Sequence, residues 1–542
     1  MIINAKDFGV VPNRESAQAL EKMLISLQNN DDEKTVVFEK GDYLIDSSKI
    51  KSRMLYITNT VGDKEFSSKE TPHKSRCPLC FEGIKNAVID FGGARFVIDG
   101  KATNVCLINC ENVVLKNGEI TAKEPDLHRI KVLSKTAFSV DFEVTGNYYI
   151  KNHALCFKGK DFDYNAMKKY RIAWHTAHIK AEDENTVKRN GRVFAGAVFA
   201  KEIRKGVVRV HYLSTAMFAV GDMYYLFDNR REFVGIFLDN SKNITLENMA
   251  QSFNYSLAVV AQCCENLTIK NCDFSPEKSV HIASLADFIQ ICMCSGDVLI
   301  ENNYFEGACD DCLNAHGIHF KIKKINGSKM TVSFMHPQTH GFNPLFAGDK
   351  IIYTDPASLI EKGSAEIVSS KLIDEYNIEL EVTGANGAQV GFAVEDLTRI
   401  PNVTFRNNTL NRIITRGLLL TIRGRAVVEN NHFMSNSMSG ILLSDDAKSW
   451  YESGACRDVL IKDNVFDYCG EVPILIKPEN RVNGGCVHKN VRIIGNTFKK
   501  YSGEVMNIKC SENIEITDNI FEQSSDCLLY TSPSPRDLST SR

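Results

Sequence analysis

The residues with the clearest capacity for chemistry lie in one short stretch, between Gly307 and His319. Two adjacent acids, Asp310 and Asp311, are followed within eight residues by three side chains that bind sugars or move protons: Asn314, His316 and His319. Adjacent carboxylates repel each other, so a short segment rarely presents both unless a cation or a proton transfer requires them. By itself such a doublet is more often a solvated turn. Its meaning therefore depends on what the rest of the chain places beside it.

Length and charge limit the classes of protein that need be considered. The chain has 542 residues, which predicts several domains or a repeat architecture. A net charge of −3 argues against nucleic acid or a polyanion as partner. No apolar run approaches a membrane span, and the start lacks a basic region followed by a hydrophobic one. The sequence as written predicts a soluble, cytoplasmic protein, with export expected if the amino terminus is truncated.

The cysteines do not form a recognisable metal motif. There are seventeen, and Cys77 and Cys80 form a CxxC pair with no second pair at the spacing of a zinc ribbon. We interpret them as small buried apolar residues in a reducing compartment. No metal or other cofactor is expected.

A repeat organises most of the chain. Its unit is a short apolar strand, an asparagine, and an aromatic or aliphatic residue. The asparagines recur at intervals of 23 to 33 residues through the second half of the chain, at positions 408, 431, 464, 496 and 519. A period in the low twenties, with β-branched strands and a fixed corner asparagine, predicts an all-β, right-handed parallel β-helix of the pectin-lyase type. The asparagines are expected to be structural, because they tolerate left-handed corners and can bond to one another along the stack.

Two segments interrupt the repeat and share a strand that begins with Gly-Asp, at Gly221-Asp222 and Gly348-Asp349. We interpret them as two small β-barrel domains that are inserted into the solenoid and flank its groove. The opening residues, with a helical pattern from Arg14 to Leu27, are expected to cap the first coil. The predicted organisation is a cap with the first coils (1–122), barrel one (123–232), central coils with the acids (233–320), barrel two (321–397) and final coils (398–526). Residues 527–542 resemble translated adapter sequence, and the natural chain is expected to continue differently.

The repeat also predicts which acids meet. Asp310 lies seven residues after Asn303, and Asp287 lies sixteen after Asn271, in a coil nine residues longer than the 23-residue unit. If the surplus forms a loop, Asp287 and Asp310 lie one rung apart, at roughly 5 Å. The same count brings Tyr255 and Arg416 to this face.

Three clustered carboxylates cannot all remain ionised cheaply, so at least one pKa should rise. A protonated acid beside ionised ones is what glycoside hydrolysis requires, with one group protonating the leaving oxygen and another activating water. Calcium is the rival use, but it would need more oxygen ligands and glycine-rich Asp loops. A second doublet, Asp445-Asp446, has no partner acid in the coil before it.

A late loop adds groups that suit a sugar. It contains Trp450, one of two tryptophans, and Glu452. Aromatic rings stack on the apolar face of a pyranose, and carboxylates and guanidinium groups bond its hydroxyls. An ordinary surface loop with a packing tryptophan explains the composition equally well. The predicted substrate-binding residues are Asn254, Tyr255, Asn314, His316, His319, Arg416, Trp450 and Glu452.

In its motifs the chain resembles glycoside hydrolase family 110, the bacterial α-1,3-galactosidases that act on blood-group-B and related α-galactosyl ends. The resemblance rests on the opening Asp7-Phe8-Gly9-Val10-Val11-Pro12-Asn13, the Asp-Asp-x-x-Asn-x-His-Gly segment from Asp310, Arg416–Gly424 and Trp450–Gly454. It implies an inverting, exo-acting hydrolase without a cofactor, with Asp310 and Asp311 as catalytic acids and Asp287 as a further active-site acid. Its partner would be a glycan with terminal α-galactose, and a homo-oligomer stays open.

A looser similarity to polygalacturonases suggests Asp310 as general acid, with Asp287 and Asp311 activating water. Two alternatives remain at this stage. A polysaccharide lyase or polyuronide hydrolase would need a groove lined by lysine and arginine, whereas the predicted face is acidic. A non-catalytic β-helix adhesin would lack clustered acids.

Overall fold

The computed structural model describes residues 1–28, 31–60, 74–168, 176–180, 183–190, 193–228, 231–278, 280–501 and 503–523. The adapter-like segment 527–542 lies outside the described residues. No helix in the described ranges combines the length and the apolar character of a membrane span.

Parallel strands stack into three faces and confirm the predicted β-helix. The first face contains Ile2–Asn4, Lys34–Val37, Lys85–Asp99, Glu111–Ala122, Lys242–Gln251, Glu265–Lys270, Ser295–Glu301, Pro401–Arg406, Arg425–Glu429, Asp458–Lys462, His488–Ile494 and Ser511–Thr517. Its three longest strands continue into the second face, which adds Gly41–Asp46, Asp273–Phe274, Tyr304–Glu306, Thr409–Asn411, His432–Asn436, Val465–Cys469, Thr497–Tyr501 and Ile520–Gln523.

The third face is a separate sheet that carries the candidate site. Its parallel strands are Leu79–Glu82, Val105–Ile108, Ile236–Asp239, Val259–Gln262, Ile289–Cys292, Leu313–Ile318, Leu418–Thr421, Ile441–Leu443, Ile474–Ile476 and Met506–Ile508. A short strand, Glu452–Ser453, pairs antiparallel with the strand Leu313–Ile318. Alternate side chains point into the shared core, as Leu313 and Ala315 do, while the residues between them face outward.

Two adjacent rows of residues form the corner between the first and second faces. The residues of the first row have positive φ, as at Asn302 (57°), Asn407 (55°) and Asn430 (56°). The next residue in each coil belongs to a buried ladder of six asparagines, in which each side-chain amide donates to the next carbonyl oxygen at 2.9–3.2 Å. The structural role predicted for the asparagines is confirmed, but left-handed geometry and ladder bonding belong to neighbouring residues, not to the same one.

Aromatic side chains add a second ladder inside the core. Phe433, Phe466, Phe498 and Phe521 stack with ring centroids 4.7–5.4 Å apart and nearly parallel planes. Each coil buries its ring only because the next coil covers it, so stability is shared along the stack.

The amino-terminal residues close the first coil. The helix Ala17–Ser26 buries Leu20, Met23 and Leu24, as its spacing predicts. Two 3₁₀ turns, Ala5–Phe8 and Ser47–Lys49, and a small antiparallel pair, Ser52–Met54 with Lys74–Arg76, complete this end.

The first insertion leaves the β-helix after Ala122 and returns before Ile236. Its described strands form a seven-stranded antiparallel sheet and a three-stranded sheet, not one closed barrel. The seven strands are His128–Lys135, Ser139–Val144, Thr176–Lys180, Asp183–Asn190, Ala197–Arg204, Val207–Tyr212 and Met223–Leu226. The three strands are Tyr148–Lys151, Ala154–Lys158 and Asp163–Asn165.

The second insertion is a closed six-stranded barrel between Phe320 and Asp396. Its strands are Phe320–Asn326, Lys329–Ser333, Lys350–Asp355, Ile360–Leu372, Asn377–Val382 and Ala393–Asp396. The barrel packs on residues beyond the end of the third face through Met293 and Ile318. The first insertion packs on the turn before that face through Phe253 and Leu285. The third face therefore lies between the two insertions.

Candidate active site

The acids lie in the turn that leads into the third face. On both sides of this turn two neighbouring coils are offset by the same 24 residues, as Ser284 with Ala308 and Ile289 with Leu313 show. This offset makes Asp287 the rung partner of Asp311, and the Phe288 amide donates to the Asp311 carbonyl at 3.0 Å. Asp310 precedes Asp311 by one residue. Stacking therefore brings the three acids together, as the repeat predicts.

The predicted pairing of Asp287 with Asp310 is wrong by one residue. The prediction assumed that the two coils are offset by 23 residues at the turn, whereas the offset there is 24, as Ser284 with Ala308 and Ile289 with Leu313 show. A difference of one residue in the offset pairs Asp287 with Asp311 in place of Asp310.

Asp311 is held as a carboxylate by the coil that follows it. Its Oδ1 accepts from the Thr415 hydroxyl at 2.6 Å, and from the amide and Nε of Arg416 at 3.2 and 2.9 Å. Burial raises the pKa of Asp311, and the positive charge of Arg416 opposes that rise.

Asp310 is held by an arginine that no sequence motif singles out. Arg231, at the exit of the first insertion, donates from Nη2 to Asp310 and from Nη1 to the side-chain Oδ1 of Asn59 at 2.8 Å. Asn59 has φ of 58° and lies in the segment that crosses from the cap. Two distant parts of the chain thus meet at one candidate catalytic carboxylate.

Asp287 differs from its neighbours in charge state. The residue is 2% exposed, and its Oδ1 is buried without a hydrogen-bond partner. Burial raises the pKa of Asp287 well above its ordinary value, and the negative charges of Asp310 and Asp311 raise it further, against the opposing charge of Arg231. Burial without a partner therefore favours the protonated form of Asp287.

The acids open onto a cleft of about 300 Å³. Its other lining residues are Asn59, Arg231, Asn314, Arg416, Leu419, Trp450 and Glu452. A second cleft of about 310 Å³ shares Asn59, Trp450 and Glu452 with it and extends along His316 to the Phe334–Thr339 segment of the second barrel. Together they form one groove between the two insertions.

Glu452 connects the two clefts. Its Oε1 accepts from the Asn314 amide at 3.0 Å and lies 3.8 Å from His316 Nε2. His316 directs Nδ1 at the Gly317 carbonyl at 2.8 Å, so its Nε2 accepts from Gln290 at 2.9 Å. This network fixes the orientation of polar groups on the wall of the groove.

The second acidic doublet is structural. Asp446 accepts the backbone amides of Lys448, Ser449 and Trp450 at 2.7–3.0 Å, which folds the loop and presents the tryptophan. Asp445 is buried against His319, with Oδ1 2.7 Å from Nε2.

Three predicted substrate-binding residues lie outside the groove. His319 is fully buried in its pair with Asp445. Tyr255 packs against Phe253 and donates to the Glu124 carbonyl at 3.0 Å, under the first insertion. Asn254 is buried, with Nδ2 on the Ala283 carbonyl. Tyr255 was predicted to lie in register with Asp287, but its coil partner is Leu285, two residues earlier.

The groove also contains residues that sequence reasoning missed. Arg231, Asn59 and His336 come from irregular segments with no repeat to place them. Gln290 and Leu419 could have been found, because they are the outward-facing rung neighbours of Asn314. His336 stacks on Trp450 at 4.5 Å, and burial lowers its pKa to about 4, so it is neutral near pH 7.

Trp450 is expected to contribute to substrate binding more than to chemistry. Its ring is 45% exposed at the rim of both clefts. Trp450→Ala should raise KM by about tenfold to a hundredfold with little change in kcat, because it removes a stacking surface remote from the acids. Asp446→Ala should shift KM in the same direction by freeing the loop. Steady-state kinetics would check both, with the exposed Phe138→Ala as control; a fall in kcat alone would contradict the role.

The raised pKa of Asp287 predicts a pH-dependent stability. In the pH range between its unfolded and folded pKa values, the folded protein binds more protons than the unfolded chain, so stability falls as pH rises. Asp287→Asn removes the titratable group and with it this loss of folding stability at higher pH. The variant should melt above the wild type at pH 7–8, and the difference should shrink toward pH 4, with a limiting slope of about 1.4 kcal/mol per pH unit. Thermal melts across this range measure it.

A carboxylate with the opposite shift supplies the control. Hydrogen bonds from Arg209 at 2.7 and 2.9 Å lower the pKa of Asp141. Asp141→Asn should therefore lose stability above pH 4, where Asp287→Asn gains it. Equal melting curves for wild type and Asp287→Asn at pH 8 would contradict the shift.

Within the described residues no group of three or more histidine, cysteine or acidic side chains is arranged to hold a metal ion. The sixteen cysteines among the described residues form no disulfide, and most are buried.

Comparison with known proteins adds independent support for the fold. Residues 329–392 match the family model described as GLAA-B beta-barrel domain II, and residues 369–492 match that of a right-handed beta helix region. The first match falls inside the closed barrel. The second overlaps the barrel at its start and continues through the coils after it.

Solved structures resemble the chain only distantly. An exopolygalacturonase from Thermotoga maritima shares 9% identity, with 96% of this chain and 92% of that chain covered and a TM-score of 0.39. A likeness of this size supports no functional inference.

Curated relatives are much closer. Alpha-1,3-galactosidase A of Bacteroides thetaiotaomicron is 32% identical, over 93% of this chain and 90% of its own length. Alpha-1,3-galactosidase A of Akkermansia muciniphila is 30% identical over 79% and 72%, and alpha-1,3-galactosidase B of Phocaeicola vulgatus is 26% identical over 97% and 90%. Identity at this level over nearly the whole length, with clustered acids on a β-helix that carries the expected barrel, shows that this chain belongs to glycoside hydrolase family 110, the α-1,3-galactosidases.

Proposed function

We propose that this enzyme removes terminal α-1,3-linked galactose from blood-group-B-type or linear α-galactosyl glycans, with inversion of configuration. The observation that carries the proposal is the charge pattern of the three acids: one buried and protonated, two bound by arginine. Inverting hydrolysis requires such a pattern, because one group gives a proton to the leaving oxygen while another removes a proton from water.

Asp287 is assigned as the general acid. Burial raises the pKa of Asp287 well above its ordinary value, and no partner occupies its Oδ1. This changes the division of labour suggested by the polygalacturonase similarity, which gave that role to Asp310. The ion pair with Arg231 favours the ionised form of Asp310, which suits a base better than an acid.

Asp310 and Asp311 are assigned to the attacking water. Each carboxylate is paired with an arginine, Asp310 with Arg231 and Asp311 with Arg416, and the positive charge favours its ionised form. Once a water gives up its proton, oxygen attacks the anomeric carbon from the face opposite the departing sugar. The product is then β-galactose.

The walls of the groove support an exo-acting enzyme. Asn59 and Arg231 line one side of the cleft that contains the acids, and residues of the second barrel line the second cleft that continues from it. We assign the terminal galactose to the cleft with the acids, where Arg416, Asn314 and Glu452 can bond its hydroxyls. Trp450 would stack on a ring face.

The alternatives from other classes are less well supported. A lyase acting on an acidic polysaccharide would have to bind uronate carboxylates, yet both arginines at the acids are already neutralised by them. A purely adhesive surface would not favour a buried acid without a partner, which costs stability at neutral pH.

The stereochemistry of the first product tests the proposal directly. Purified enzyme would be incubated with Galα1-3Gal, with the fucosylated B trisaccharide and with p-nitrophenyl α-galactoside, and the anomeric protons followed by NMR. We expect β-galactose before mutarotation, with Asp287→Asn as the inactive control for the two oligosaccharides. First appearance of α-galactose would contradict inversion. Failure to release galactose from any of the three would contradict the activity itself.

A further inference from the structure

Two cysteines remote from the catalytic acids occupy adjacent rungs at the start of the third face. Cys80 and Cys106 are directly paired in the register of the strands Leu79–Glu82 and Val105–Ile108. Adjacent rungs place their Cα atoms at about 4.8 Å. That separation lies inside the range of about 4.4–6.8 Å over which a disulfide closes.

Both side chains point away from the coil core. Their neighbours Leu79 and Leu107 belong to the main core, whereas the two cysteines pack with Cys77 and Ile57 in a separate cluster. Cys106 is fully buried there, and Cys80 is partly exposed. The pair thus combines one accessible thiol with one protected thiol.

An arginine lies against the accessible thiol. Arg53 Nη1 is 2.9 Å from Cys80 Sγ, and its Nη2 is 2.9 Å from Glu82. A guanidinium beside a thiol stabilises the thiolate, which is the reactive form. A hydrogen bond with Cys106 and the charge of Arg53 lower the pKa of Cys80, whereas burial raises that of Cys106.

A cavity gives small molecules access to this thiol. It has about 590 Å³ of space between the cap helix Ala17–Ser26 and the first coil, and its lining includes Cys77, Cys80, Arg53 and Glu82. Cys80 lines this cavity, whereas Cys106 does not.

We propose that Cys80 is a thiol-modification site that reacts with low-molecular-weight disulfides, and that Cys106 resolves the adduct into a Cys80–Cys106 disulfide. In the first step the Cys80 thiolate attacks one sulfur of the small disulfide, forming a mixed disulfide and releasing one small thiolate. In the second step the deprotonated Cys106 sulfur attacks Cys80 Sγ and expels the other small thiolate. The protein dithiol is oxidised by two electrons and the small disulfide is reduced to two thiols.

The fold contains a matched pair that should not react. Cys264 and Cys294 occupy corresponding rungs, given the pairing of Val259 with Ile289 and of Gln262 with Cys292. Both are about 2% exposed within the main core, and neither lines a described cavity. The Cys264–Cys294 pair therefore has the same rung geometry as Cys80–Cys106 but lacks the cavity and the neighbouring arginine. Comparing the two pairs tests whether geometry alone is enough for oxidation.

The test exposes the folded, full-length protein to oxidised glutathione, traps free thiols with N-ethylmaleimide and maps the peptides by mass spectrometry. We expect a linked Cys80–Cys106 peptide pair that is 2 Da lighter than the sum of its reduced peptides. Cys264 and Cys294 should stay reduced and should react with N-ethylmaleimide only after the protein is unfolded. Cys106→Ala should accumulate the glutathione adduct on Cys80. Cys80→Ser should show neither product.

Arg53→Met tests the activation separately. Alkylation of Cys80 by iodoacetamide at pH 7 should slow by about threefold to tenfold, as expected for a rise of up to one pKa unit. A Cys80–Cys106 pair that stays reduced, oxidation of Cys264–Cys294 at the same rate, or a link from Cys106 to another cysteine would each overturn the proposal.

Discussion

Asp287→Asn should reduce kcat/KM for Galα1-3Gal by about three to four orders of magnitude, while the protein stays folded. The asparagine has nearly the same shape but cannot give a proton to the glycosidic oxygen. Because the wild-type carboxyl is already neutral in the folded state, the substitution changes the local charge little. The loss is therefore expected in kcat and not in KM.

The choice of leaving group distinguishes the general acid from the other two aspartates. p-Nitrophenolate leaves without a proton, so Asp287→Asn should lose far less activity on p-nitrophenyl α-galactoside than on Galα1-3Gal. Asp310→Asn and Asp311→Asn should lose activity equally on both substrates, since the attacking water is needed in each case. Steady-state kinetics of the three variants on the two substrates provide the measurement.

An exposed aspartate of the same coil provides the control for this series. Asp297 faces solvent on the first face, away from the groove, and Asp297→Asn should retain wild-type rates. If Asp310→Asn were the variant that kept activity on the nitrophenyl substrate, the acid would be Asp310, and the reasoning from burial and ion pairing would be wrong.

The fold was predictable because the same sequence pattern recurs in most coils. Each coil repeats the strand pattern and the corner asparagine, so a misassigned residue in one coil does not change the fold prediction. The site was less predictable because its register is read from single coils. An offset of 23 residues at the turn would pair Asp287 with Asp310, but this turn has an offset of 24, which pairs Asp287 with Asp311.

Arg231 and Asn59 could not have been placed by the repeat at all. Each belongs to a connecting segment, and their meeting depends on how the first insertion and the cap pack on the third face. No local pattern encodes such a contact between residues 172 positions apart. Conversely, His319 looked functional because it follows two acids closely, but strand geometry turns it into the buried partner of Asp445.

Arg231→Met should lower kcat by about two to three orders of magnitude, although Arg231 transfers no proton in the proposed reaction. The guanidinium neutralises Asp310 and also lies near the carboxyl groups of Asp287 and Asp311. Without it, three acids share one remaining cation, Arg416, and the cluster should take up an additional proton. The base that activates water is then lost over part of the pH range. The acid limb of the pH–rate profile should move to higher pH, a shift that loss of packing alone would not produce.

An arginine–aspartate pair on the first insertion controls for the loss of a salt bridge as such. Arg209 holds Asp141 through two hydrogen bonds but lies on an exposed sheet, so Arg209→Met should leave kcat and the pH profile unchanged. Asn59→Ala supplies the complementary change, because it removes the second anchor of Arg231 and keeps the charge. We expect a smaller loss of kcat with no shift in the acid limb. If Arg231→Met reduced activity without moving that limb, the arginine would serve only to shape the groove, and the ionisation of Asp310 would have to depend on another group.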